Sequence, residues 1–117
     1  MLAGAYLIDS SSTMDPAPQH FADILVERVR ALGHPLCVGF DPFLDRIASV
    51  FRRGSMKPGD PETALAVEEF FGAVLDRIGD RVAVVKPQIA FFEEMGSAGL
   101  AVLERLAEAE AYRDKKE

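Results

Sequence analysis

The sequence is poor in the residues that build disulfides and metal sites. It holds one cysteine, Cys37, and two histidines among 117 residues. A single cysteine cannot form an internal disulfide, which is typical of reducing compartments, and we predict a cytoplasmic protein. Because Cys37 lies in an apolar run, we expect it to be a buried small hydrophobic residue. His20 and His34 have no cysteine or second histidine at ligand spacing, so no metal site is predicted.

An excess of positive charge and a long hydrophobic run are lacking as well. The net charge of −6 argues against nucleic acid and against an anionic membrane as the main partner. The short apolar segment at the start has no basic leader and cannot span a membrane, and residues 1–19 are predicted to form a flexible extension. The basic cluster of Arg52, Arg53 and Lys57 is either a solvated surface, the simpler interpretation, or a phosphate-binding patch.

The hydrophobic content of 49% is sufficient for the core of one small domain. Apolar residues at helical spacing predict a helix over residues 21–32, ended by Gly33. A buried strand is predicted over residues 36–40. A short helix is expected over residues 43–53, closed by Gly54.

The helix with the clearest signals begins after Asp60. Asp60 is predicted to be its N-cap and Pro61 its first residue, and Gly79 is predicted to end it. A strand over residues 82–86 follows, and Ser97 is expected to cap a last helix. The buried side of that helix is predicted to carry Leu100, Leu103 and Leu106 or Ala107.

The order of elements predicts an α/β fold with about two parallel strands and flanking helices. Both strands end in a charged residue followed by proline, at Asp41 and Lys86. A residue before proline stays extended, and side chains alternate along a strand, so Asp41 should share a face with Cys37 and Gly39. Since sites gather at the carboxyl ends of parallel strands, we predict that Asp41 and Lys86 converge on one pocket, with Gly39 leaving space. The simpler interpretations are a turn residue for Asp41 and a surface lysine for Lys86.

Two stretches carry a family resemblance: "PLCVGFDP" and "AVEEFFGAVLDRIGDRVAVVKPQIAFFEEMGSAGLAVLERL". Together they resemble orotidine 5′-phosphate decarboxylases, in particular a bacterial subfamily whose second strand reads V-K-P-Q-x-A-F-F-E. The resemblance covers about residues 20–108, and Phe40 stands where that family usually has leucine. It implies that residues 20–117 form the N-terminal portion of a (β/α)₈ TIM barrel. It also implies a homodimer that converts orotidine 5′-monophosphate to UMP and CO₂ in pyrimidine synthesis, with neither metal nor organic cofactor.

The same resemblance implies roles for the two strand-end residues. Asp41 matches an aspartate that contacts the substrate ribose. Lys86 matches a lysine that reaches a ribose hydroxyl and belongs to the charged catalytic network, so it is expected to be both substrate-binding and catalytic. No role is assigned to Gln88.

The resemblance also points to what the sequence does not contain. It places a D-x-K-x-x-D motif just after residue 110, and neither this motif nor the later phosphate-binding loop occurs in these 117 residues. A barrel of this kind needs about 200 residues or more. We therefore expect a truncated piece that is inactive by itself. Another sugar-phosphate decarboxylase or synthase of the same superfamily, or a non-catalytic βαβ module that binds a partner, remains as an alternative.

Overall fold

The computed structural model describes the backbone of residues 20–116 and the side chains of residues 20–109. The extension expected over residues 1–19 lies outside this part of the chain. The helices and strands, in chain order, are α1 Phe21–Leu32, β1 Cys37–Phe40, α2 Pro61–Ile78, β2 Val84–Pro87, α3 Ile89–Glu93 and α4 Gly96–Lys116, with two 3₁₀ turns at Leu44–Arg46 and Ser49–Phe51.

The two strands form a parallel sheet, and the core residues of α2, α3 and α4 pack against the face that carries Phe40 and Val85. The register pairs Gly39 with Lys86, and α4 packs against α2 and α3. The buried side chains that form the core include Phe40, Val67, Phe71, Val85, Phe92 and Val102. This arrangement confirms the predicted α/β class with two parallel strands and flanking helices, and it is consistent with part of a TIM barrel.

Local sequence signals account for the ends of α1 and α2. Gly33 follows α1 in the left-handed conformation, with φ of 80°, and its N–H donates to the Val29 carbonyl. The Asp60 carboxylate accepts a hydrogen bond from a backbone N–H in the first turn of α2, whose first residue is Pro61. Gly79 follows α2 as predicted, although its φ of −54° is right-handed and therefore needs no glycine.

The helix expected over residues 43–53 is not formed. Two 3₁₀ turns, Leu44–Arg46 and Ser49–Phe51, stand in its place. Between them the backbones of Ile47 and Ala48 are not helical, with ψ of 133° and 137°. This break lets Ile47 enter the core, where 5% of its surface stays exposed. The burial of one isoleucine therefore outweighs the helical spacing of the segment.

The last part of the chain also differs from the prediction. A short helix, α3, precedes α4, and α4 begins at Gly96, so Ser97 lies inside its first turn and is not its cap. Leu100 was expected to be buried, but 44% of its surface is exposed. The predicted Leu106 and Ala107 are buried. The helix also presents Gly99 and Val102 to the protein, because only glycine at 99 lets α4 lie against the Phe92 carbonyl.

One arginine links α1 to the rest of the protein. The Arg28 Nε donates to the Ala83 carbonyl at 2.9 Å, and its Nη2 donates to the carbonyls of Gly79 at 3.1 Å and Val82 at 2.9 Å. The helix α1 itself has no fully buried residue. The guanidinium therefore joins α1 to the end of α2 and to the segment that enters β2.

The loop before α2 is organised around Asp60. Its Oδ2 accepts hydrogen bonds from the backbone N–H and the hydroxyl of Ser55, both at 2.9 Å, and its Oδ1 accepts from the Glu62 N–H at 2.9 Å. Gly54 has φ of 56°, and a Cβ there would lie 2.6 Å from Oδ2. These hydrogen bonds, led by the one from the Ser55 N–H, lower the pKa of Asp60 below its ordinary value of 3.8.

This depressed pKa predicts an acid-sensitive loop. A carboxyl group whose pKa is lower in the folded state stabilises the fold above its ordinary value, and this stabilisation is lost as the pH falls through the folded pKa. We expect Asp60→Asn to flatten the pH dependence of the free energy of unfolding below about pH 4. Urea titrations between neutral pH and pH 3 measure this. Asp45→Asn, which removes the same charge from an exposed site, is the control; equal slopes for the two variants would contradict the prediction.

Candidate functional site

Asp41 and Lys86 lie on the same face of the sheet, at the ends of neighbouring strands. Gly39 is opposite Lys86 in the register, and Asp41 comes two residues later on the face of Gly39. At standard strand spacing this places the Cα atoms of Asp41 and Lys86 about 8 Å apart. Both side chains are exposed, and neither has a hydrogen-bond or ion-pair partner within residues 20–109.

Gly39 leaves the backbone between these two side chains open. A Cβ at this position would lie 3.9 Å from the Asp41 Oδ1 and 3.9 Å from the Lys86 carbonyl oxygen, which are ordinary contacts. The Asp41 carboxylate therefore lies above residue 39. Because Gly39 has no side chain, a ligand on this face can contact its backbone directly. The same ligand can then reach the Asp41 carboxylate and the Lys86 ammonium group.

Cys37 lies on this face as well, and its predicted burial is wrong. The thiol is exposed, as is the whole row formed by Cys37, Gly39 and Asp41. The cause is that, among residues 20–109, the core residues of α2, α3 and α4 pack on the opposite face, which carries Phe40 and Val85. Although both strands are apolar, one face of the sheet formed by the described residues is therefore exposed.

Two aromatic rings beside the strand ends were not identified from the sequence. The rings of Phe43 and Phe91 lie with their centroids 4.7 Å apart and their planes at 58°. The guanidinium carbon of Arg46 lies 5.5 Å from the centroid of the Phe43 ring. The signal in the sequence is weak: Phe43 follows Pro42 directly, and Phe91 comes four residues after Pro87.

The basic cluster does not converge on an anion site. Arg53 forms ion pairs with Glu69 and, at 3.8 Å, with Glu62. Arg52 donates to the Leu44 carbonyl at 3.1 Å. These contacts favour the interpretation as a solvated surface. Over residues 20–109, whose side chains the structure describes, no three or more His, Cys, Asp or Glu side chains lie together in a group that could hold a metal ion. The same part of the chain has no helix with the length and apolar character to cross a membrane.

Several curated proteins that are similar to this chain share one name. The orotidine 5′-phosphate decarboxylase of Salinispora tropica is 47% identical over 70 residues, which is 60% of this chain and 22% of that protein. The one from Streptomyces coelicolor is 44% identical over 70 residues, again 60% and 22%. The one from Myxococcus xanthus is 36% identical over 95 residues, or 81% and 28%. The chain is a partial match to orotidine 5′-phosphate decarboxylase.

The match confirms the resemblance seen in the strand motifs. By their name, the matched relatives of this chain are carboxy-lyases, enzymes that release CO₂. The chain spans between 22% and 28% of the length of these decarboxylases. No protein-family model matches this chain. No solved structure matches it either.

Proposed function

We propose that this chain supplies the Asp41–Lys86 part of an orotidine 5′-phosphate decarboxylase active site. The observation that supports this proposal is the position of the two side chains, both exposed on one sheet face at neighbouring strand ends. In parallel α/β folds this is where ligands bind. The name of the matched relatives supplies the substrate, orotidine 5′-monophosphate, and the product, UMP.

Each side chain has a role suited to its chemistry. The resemblance gives Asp41 the substrate ribose as its ligand, and a carboxylate, which only accepts hydrogen bonds, suits the hydroxyl groups of that sugar. The ammonium group of Lys86 donates to a ribose hydroxyl, which is its substrate-binding role. It also places a positive charge in the site, which is its catalytic role. Loss of CO₂ leaves an electron pair on C6 of the pyrimidine, and fixed charges in a dry site stabilise this developing charge.

These 117 residues do not hold every group that the proposed reaction needs. The carbanion must be protonated, and the resemblance assigns that step to a lysine of the D-x-K-x-x-D motif, which these 117 residues do not contain. We therefore propose that the isolated chain does not decarboxylate the substrate. We further propose that it acts in the cytoplasm and that the completed barrel is a homodimer.

The test is complementation. The chain is mixed with a polypeptide carrying the part of the Salinispora tropica decarboxylase that lies beyond the matched region, and UMP formation is measured. We expect no turnover by the chain by itself and turnover by the mixture. Lys86→Met is expected to lower kcat by about 10²–10³, as for other preorganised charged donors.

The control variant is Cys37→Ser, on the same exposed face, and it should leave kcat unchanged. UMP formation by the isolated chain would contradict its proposed inactivity. Full activity of the Lys86→Met mixture would contradict the catalytic role of Lys86.

A second candidate function is a non-catalytic module that docks on a partner. The observation that favours it is the sheet itself: among residues 20–116, each of its two strands has an unpaired outer edge, and one face of the sheet is uncovered. Open edges of this kind pair readily with another strand. A cooperative thermal transition of a monomeric chain would support an independent module, whereas aggregation relieved by the complementing polypeptide would support a part of a barrel.

A further inference from the structure

The hydrogen-bonded ladder of the sheet includes Lys86 but ends before Asp41. Its last register pair is Phe40 with Pro87, and one more backbone bond follows, from the Gln88 N–H to the Phe40 carbonyl at 3.0 Å. Lys86 lies inside this ladder and is held by it. Asp41 lies beyond its last residue on β1, so the sheet itself does not hold its backbone.

The rings of Phe43 and Phe91 meet across the two loops that leave the strands. Phe43 is tied to the site residue, because its N–H donates to the Asp41 carbonyl at 2.8 Å. Phe91 is tied to the end of β2, because its N–H donates to the Gln88 carbonyl at 3.2 Å. The ring contact, with centroids 4.7 Å apart, thus connects the Asp41 loop to the Gln88 loop beyond the last backbone bond.

Core burial does not explain this ring pair. Phe43 is 46% exposed and Phe91 is half-buried, whereas Phe92, the next residue, is fully buried. Pro42 between Asp41 and Phe43 is also fully buried. The Asp41 loop is therefore anchored at Pro42 and then held from outside by an aromatic contact at the protein surface.

We propose that Phe43 and Phe91 are positioning residues that hold Asp41 at a fixed place relative to Lys86. The inference rests on the proposed function, because a fixed position of Asp41 relative to Lys86 matters only if the two side chains bind the same substrate. Neither ring needs to touch the substrate. Their contact restricts the loop that carries Asp41, and preorganised site residues act best when their supporting contacts hold them firmly.

The first test measures order in the 117-residue chain by backbone ¹⁵N relaxation. Phe43→Leu and Phe91→Leu each keep an apolar side chain but remove the ring contact. We expect the order parameter of the Asp41 amide to fall from about 0.85 to below about 0.6 in both variants, while the amide of Lys86 keeps its value. The control is Phe70→Leu, which removes a half-buried ring that contacts Phe51 and Phe71. An Asp41 amide that stays ordered in both variants would overturn the proposal.

The second test uses the complemented decarboxylase. Phe91→Leu is expected to lower kcat/KM about 10-fold in the parent, the size of a modest positioning effect, and to have no further effect in the Asp41→Asn background. Equal losses in both backgrounds would overturn the positioning role. If Asp41→Asn itself changes nothing, the proposed function fails, and the relaxation result still decides whether the rings hold the loop.

Discussion

Replacing Gly99 with alanine is expected to cost about 3 kcal/mol or more of the free energy of unfolding. A Cβ at this position would lie 2.0 Å from the Phe92 carbonyl oxygen and 2.8 Å from the Met95 Cβ. Neither atom is the end of a flexible side chain, so α4 would have to move away from α3. Urea denaturation followed by circular dichroism measures the loss.

Gly72 provides a matched control within another helix. It lies inside α2, and a Cβ there would have no neighbour within 4 Å. Alanine is favoured over glycine inside helices, so Gly72→Ala is expected to raise the free energy of unfolding by about 0.5–1 kcal/mol. Equal effects of the two substitutions would contradict the close approach of α3 and α4.

The second large effect is expected for Phe71→Ala. The Phe71 ring lies at the centre of the aromatic cluster, with centroids 4.4 Å from Phe40, 5.1 Å from Phe70 and 6.2 Å from Phe92. Removing a buried phenylalanine leaves a cavity and costs about 3–5 kcal/mol. The loss should appear as a lower urea midpoint with an unchanged slope, which indicates a change in stability alone.

Leu65→Ala is the control for this substitution, because Leu65 lies on the same helix and 43% of its surface is exposed. A substitution at such a position usually changes stability by less than about 0.5 kcal/mol. A loss at Leu65 as large as that at Phe71 would show that α2 packs with a different face toward the sheet.

The sequence could predict the elements whose ends depend on local chemistry. Asp60 and Pro61 mark the start of α2 because a cap and a fixed φ act within one turn, and Gly33 marks the end of α1 for the same reason. The segment around Ile47 could not be predicted in this way. Its conformation depends on which side chain enters a core formed by distant residues.

The site could be predicted in part. Strand alternation correctly places Gly39 and Asp41 together, because it is a property of any extended chain. The exposure of Cys37 depends on which face the helices cover, and a single sequence does not specify this. The contact between Phe43 and Phe91 joins residues far apart in the chain, so no local pattern reveals it.

The attachment of α1 by Arg28 has a consequence for the order of unfolding. The carbonyls that Arg28 binds belong to residues 51, 54 and 55 positions further along the chain, so the link exists only when the far end of the fold is already in place. A helix of 12 residues without a fully buried side chain is marginal by itself. The amides of α1 should therefore exchange with solvent through a local opening well before those of α2, and native-state hydrogen exchange should show α1 as the first cooperative unit to be released.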